Sequence, residues 1–131
     1  MAGLKIVEMD HIVLNVNDVE RSIVFYTETL GLKGERLEEF RAGKVGFPSV
    51  RINEHTLIDL VQTTQPLSIA RNLNHFCLVS ESTDLGEVAS DLKGKGVVVV
   101  QEPVSRWGAR GQATSIYIQD PDENEIEIRC Y

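Results

Sequence analysis

The chain has 131 residues, the size of one ordinary domain, and is 42% hydrophobic and 25% charged, a composition that excludes a disordered polymer. Thirteen Lys and Arg against twenty Asp and Glu leave a formal net charge of −7, which argues against a nucleic-acid-binding face and against adhesion to anionic membrane. No apolar run approaches the roughly 18–20 residues of a membrane-spanning helix, and the N-terminal stretch reaches an acid and a histidine too early for a signal peptide.

Asp10-His11-Ile12-Val13-Leu14 reads as a first strand, with His11, Val13 and Asn15 on one face. Asn17 and Glu20 then make an N-x-x-E cap with Asp18 in the first turn. Val19, Ile23, Tyr26 and Leu30 follow at helical spacing, and Gly31 stops the helix. Three strand-like runs come next, at about 33–40, 44–52 and 56–62. Asn53-Glu54 supplies the last turn. Residues 63–72, broken by Pro66, are polar at first and read as a linker.

Asn74-His75-Phe76-Cys77-Leu78 opens a second series, with His75, Cys77 and Val79 on one face. Asp84 and Glu87 cap a helix that carries Leu85, Val88, Ala89 and Leu92, and Gly94 and Gly96 end it. Strand-like runs recur at about 97–101, 113–119 and 124–130. Pro103 to Gln112 is expected as a variable loop, and Asp120-Pro121-Asp122 as a hairpin turn. Cys77 and Cys130 make no disulfide framework and are expected as reduced thiols in a cytoplasmic protein.

The two series are copies. His11 matches His75 at an offset of 64, Gly31-Leu32 matches Gly96-Val97 at 65, Ser49-Val50-Arg51-Ile52 matches Ser115-Ile116-Tyr117-Ile118 at 66, and Ile58-Asp59-Leu60-Val61 matches Ile126-Glu127-Ile128-Arg129 at 68. Each half reads β-α-β-β-β, giving one α+β domain over 1–131, with module one at 5–62, the linker at 63–72 and module two at 73–131. The duplication sets two imidazoles, His11 and His75, and two carboxylates, Asp59 and Glu127, at matching strand positions. Such a set suits Zn, Ni, Co, Fe or Mn and not a structural Cys-type zinc site. His55 has no counterpart in the repeat and reads as an exposed turn histidine.

MDHIVLNVNDVERSIVFYTETLGL at the start and SIYIQDPDENEIEI at the end resemble the first strand and helix, and the terminal D-P-D-G-N-x-I-E hairpin, of the vicinal oxygen chelate superfamily. That superfamily takes in glyoxalase I, fosfomycin-resistance and bleomycin-resistance proteins and extradiol dioxygenases. EPVSRWGARGQATSIYIQDPD is closer to the glyoxalase domain-containing protein 5 type and its bacterial virulence-protein relatives.

The resemblance implies two tandem βαβββ modules forming a curved mixed sheet around a central cleft. It implies one divalent metal held by His11, His75 and Glu127, with Asp59 where glyoxalase I has a fourth ligand. Glu127 would double as the base. The activity implied is that of a metal-dependent lyase, isomerase or thiol transferase on a small substrate chelated through neighbouring oxygens, either lactoylglutathione-lyase-like or fosfomycin-resistance-like. The alternatives are a non-catalytic small-molecule binder of the bleomycin-resistance type and a single-ring dioxygenase. Arg106, Trp107 and Arg110 in the expected loop, and Arg129 beside Glu127, are the candidate substrate contacts. A homodimer is implied as well. Glu123 departs from the family's glycine, which should alter the hairpin and leave the ligand in place.

Overall fold

Strand faces in this chain follow the alternation of apolar and polar residues, and the first and last helices start at aspartate caps. The computed structural model describes residues 3–67, 71–119 and 123–131. In order, the elements are β1 (Ile6–Val16), α1 (Val19–Val24), a π-helical turn (Phe25–Thr29), β2 (Lys33–Glu35), α2 (Leu37–Arg41), β3 (Ser49–Asn53), β4 (Thr56–Gln62), β5 (Leu73–Ser80), α3 (Leu85–Gly94), β6 (Val99–Gly108), β7 (Gly111–Gln119) and β8 (Glu125–Cys130). The chain divides into two compact units, one of His11–Asn74, the other of the residues up to Asp10 with His75–Tyr131. Among the described residues no helix is long and apolar enough to cross a membrane.

In the His11–Asn74 unit the strand order is β2-β3-β4-β1. β1 and β4 run parallel with Val13 opposite Asp59, and β3 and β4 run antiparallel with Ser49 opposite Asp59. Paired residues share a face, so His11, Asp59 and Ser49 lie on one side of this sheet. The other side buries Val16 and Leu60 against Val19 and Ile23 of α1, with Leu14, Tyr26, Leu37, Phe40 and Ile58 around them.

The second unit repeats the order as β5-β8-β7-β6. β5 and β8 run parallel with Cys77 opposite Glu127, and β7 and β8 antiparallel with Ser115 opposite Arg129 and Tyr117 opposite Glu127. His75, Glu127, Arg129, Ser115 and Tyr117 therefore share a face. On the other face Leu85, Val88 and Ala89 of α3 pack on Ile116, Ile128 and Cys130. The α+β class is thus observed, with the β-α-β-β-β order in each half and one additional short helix, α2, in the first.

Several local expectations are corrected. The first helix is capped by Asp18, not Asn17, because the Asp18 carboxylate accepts the Arg21 amide at 3.2 Å. The second cap is as expected, with Asp84 accepting the Glu87 amide at 3.0 Å. The run at 33–40 is a strand only to Glu35. Leu37–Arg41 is helical, with Glu38 and Glu39 in its first turn and Arg41 in its last, charges that suit the helix dipole. The strand expected from 44 begins at Ser49, because Gly46 and Pro48 break the run before it. The β3–β4 turn is centred one residue later than read, on Glu54-His55, and His55 is exposed in it.

Pro103 to Gln112 is not a loop. β6 and β7 continue through it, and the pair Gly108–Gly111 leaves only Ala109-Arg110 as the connection. Gly111 takes a φ of 96° there, which a side chain would oppose. The Asp120-Pro121-Asp122 turn and residues 68–70 of the expected linker lie outside the described residues.

Candidate functional site

The second unit holds a carboxylate with two different sides. His75 comes from β5, and its Nε2 lies 3.2 Å from Oε1 of Glu127 on β8. The other oxygen, Oε2, accepts the Ser115 hydroxyl at 2.7 Å and Nη1 of Arg129 at 3.0 Å. Glu127, Ser115 and Arg129 are all buried, Arg129 completely. Burying an ionised acid beside a guanidinium and a hydroxyl offsets the desolvation that would otherwise neutralise it. Tyr117 meets the His75 ring edge-on, with centroids 5.6 Å apart. Its phenol is pushed above the ordinary range, first by burial and then by the charge and hydrogen bond of Glu127, with Arg106 acting in the opposite sense.

Arg129 ties this cluster to the β6–β7 hairpin. Its Nη2 donates to the carbonyls of Arg106 and Gly111, each at 3.0 Å, and Nη1 to that of Trp107 at 3.3 Å. Its plane lies over the Tyr131 ring at 4.7 Å, and Nε is 4.0 Å from Oδ2 of buried Asp10. Asp10 in turn accepts the Tyr131 hydroxyl at 2.5 Å and the Ala109 amide at 2.9 Å. Burial works against the charge on Arg129, and Tyr131, Asp10, Cys77 and Glu127 more than compensate, so the guanidinium is held above its ordinary value.

The His11–Asn74 unit carries the matching arrangement. His11 Nε2 stands 3.8 Å from Oδ2 of Asp59, both buried. Oδ1 of Asp59 accepts the Ser49 hydroxyl at 2.5 Å. Arg36 donates to that hydroxyl oxygen at 2.5 Å and lies 3.9 Å from Oδ1 of Asp59. Arg36 holds a left-handed backbone, with φ at 58°, and its guanidinium lies over the Phe47 ring at 5.6 Å.

The remaining candidates fall on the hairpin. Arg106 lies over the Tyr117 ring at 5.9 Å. Trp107 is 54% exposed. Arg110 pairs with Glu8 and lies over the Tyr131 ring at 4.2 Å. Cys77 and Cys130 are buried and in no disulfide. The sequence reading missed Ser49, Ser115, Arg36 and Tyr117. The repeat itself carried a signal for three of them: it aligns Ser49 with Ser115, and Tyr117 stands two residues further along the same strand face.

The donor chemistry fits a divalent metal. Each unit sets one imidazole nitrogen beside one carboxylate oxygen, and the second oxygen of that carboxylate is already held by protein donors. Mixed nitrogen and oxygen donors with oriented outer partners are what Zn, Mn, Co, Ni and Fe sites use.

Comparison with known proteins agrees with the fold. The chain matches the family model described as "Glyoxalase/Bleomycin resistance protein/Dioxygenase superfamily" over residues 8–128. The virulence protein STM3117 of Salmonella typhimurium is 33% identical over 124 residues, which cover 94% of this chain and 83% of that protein. The glyoxalase domain-containing protein RDO1 of Mycosarcoma maydis is 30% identical over 132 residues, covering 98% of this chain and 70% of that one. In fold, the chain is similar to the Mn(II)-bound glyoxalase from Novosphingobium aromaticivorans, with a TM-score of 0.76 and 15% identity over 98% of this chain and 40% of that one.

Proposed function

The chain belongs to the glyoxalase/bleomycin resistance protein/dioxygenase superfamily, and on that footing we propose that it is a divalent-metal-dependent, glyoxalase-like enzyme. The observation that carries the reading is the Glu127 carboxylate, with Oε1 beside His75 Nε2 and Oε2 engaged by Ser115 and Arg129. A buried acid with one oxygen beside an imidazole and the other held by a guanidinium and a hydroxyl is oriented to ligate a cation. The ligands proposed are His11, His75 and Glu127, with Asp59 as the fourth, as the family resemblance assigns them.

When bound, a divalent metal supplies Lewis-acid polarisation of a substrate oxygen. Glu127 is proposed as the base when its Oε1 is not engaged as a ligand: Oε1 would then take a proton from the carbon next to a substrate carbonyl, while Arg129 and Ser115 hold Oε2 in place. Tyr117 is protonated at neutral pH, as any phenol is, and is proposed to offer a hydroxyl hydrogen bond beside His75. Arg106, over the Tyr117 ring, presents a cation suited to an anionic substrate, whereas Trp107, the next residue of β6, falls on the opposite face of the strand and is not kept as a contact to the same substrate. Arg110, engaged with Glu8, is the weaker of the two arginine contacts, and Arg129 acts through Glu127. Exposed Val98, Val100 and Trp107 on or beside the edge strand β6 are proposed as part of a homodimer contact.

The test is metal content of protein purified without a metal-affinity tag. About one divalent ion per chain is expected in the wild type, and less than a tenth of that in Glu127→Ala and His75→Ala. Full retention in both variants would overturn the reading. A wild type that takes up no metal after reconstitution would turn it toward a small-molecule binder.

A further inference from the structure

The carboxylates of the two halves are held in the same way by partners that no ligand motif requires. In each, one oxygen faces a histidine Nε2, and the other accepts a buried serine hydroxyl that an arginine also engages. Ser49 lies directly opposite Asp59 in the β3–β4 pairing. Ser115 lies opposite Arg129, two residues beyond Glu127. The extra methylene of glutamate lets Glu127 reach that diagonal serine, whereas the shorter aspartate needs the serine opposite. Thus the arrangement survives a change of both side-chain length and register. Two halves that differ at most other positions have kept the serine and the division of the carboxylate oxygens, and each meets its serine with an arginine drawn from a different place in the fold.

We infer that Ser115 and Arg129 are positioning residues for Glu127, taking Oε2 so that Oε1 alone is presented beside His75, and that Ser49 and Arg36 do the same for Asp59. The inference rests on the metal-binding reading above and deepens it. The two clamps are unequal. Arg129 donates straight to Glu127 at 3.0 Å, while Arg36 reaches Asp59 through Ser49 and stands 3.9 Å from it. Removing the Ser115 hydroxyl therefore leaves Arg129 on Oε2 of Glu127, whereas removing the Ser49 hydroxyl also takes away the link through which Arg36 reaches Asp59.

Ser115→Ala and Ser49→Ala test this, because each removes one oxygen and adds no bulk. Metal-free protein is titrated with Mn(II) or Zn(II) alone, and the carboxyl carbon resonance of Glu127 is followed in the same metal-free samples. Ser115→Ala is expected to weaken metal binding by about 10- to 100-fold and to move the Glu127 resonance, with the fold intact by circular dichroism. Ser49→Ala, which removes both holds on Asp59, is expected to weaken binding as well. Ser115→Ala protein that binds metal as tightly as the wild type would overturn the inference. Should the wild type bind no metal, the functional reading fails separately, and the resonance decides: a shift in Ser115→Ala retains the clamp, and an unmoved resonance removes it.

Discussion

Arg129 is a cation with no access to water, set between two buried acids. Glu127 receives a direct hydrogen bond from it, and Asp10 stands 4.0 Å from its Nε. Replacing such a residue leaves two carboxylates desolvated without their counter-charge, and breaking a buried pair in this way costs about 3–5 kcal/mol. Arg129→Met is accordingly expected to lower the unfolding free energy measured in urea by that much, and a loss under about 1 kcal/mol would show that water reaches the acids. The histidines and acids of this site were legible in the sequence because duplication marks them twice. Ser115 and Ser49 were not, although they stood in the same alignment, because a lone serine in a strand carries no chemistry until its partner is seen. Arg36 had no mark at all, since it works from a left-handed turn that has no counterpart in the other half.

At the scale of elements, the helices and the closing strands followed their caps and their alternation, and the errors fell where competing signals overlapped. Leu37–Arg41 has enough apolar residues to suggest a strand, but its charges favour one helical turn. The hairpin was read as a loop because its glycines and arginines look like loop composition. The Gly108–Gly111 pair instead closes the strands through a two-residue connection. Glu123 also has a backbone consequence, for its φ of 66° is one that glycine adopts without strain. Glu123→Gly is expected to stabilise the chain by about 1 kcal/mol, measured as a higher urea midpoint. A lower midpoint would mean that the glutamate side chain contributes more than the backbone loses.

For the whole molecule, the duplicated pattern accounts for why one short chain has two helix-backed sets of four strands and two acid–histidine pairs. Its stability should also carry a signature of buried phenols. Tyr117 and Tyr131 are both raised above the ordinary tyrosine value, each first by burial and then by hydrogen bonds to Glu127 and Asp10 respectively. A phenol raised in the folded state keeps its proton when the unfolded chain has lost it. Its contribution is therefore whole below about pH 10 and falls as pH climbs further. Urea midpoints are expected to drop steeply between about pH 10 and 11, and less steeply in Tyr131→Phe. Equal slopes in the two proteins would remove Tyr131 from the account.

The hairpin contacts of Arg129 have an evolutionary consequence. Arg129 grips the tip of the hairpin through the carbonyl oxygens of residues 106, 107 and 111, atoms that every amino acid carries. Side chains at Arg106 and Trp107 can be exchanged without loosening that grip. Gly108 cannot, because a Cβ there would lie 2.4 Å from the Arg129 Cζ. Descendants of this chain can thus sample new surface chemistry on the hairpin while inheriting the acid cluster beneath it unchanged.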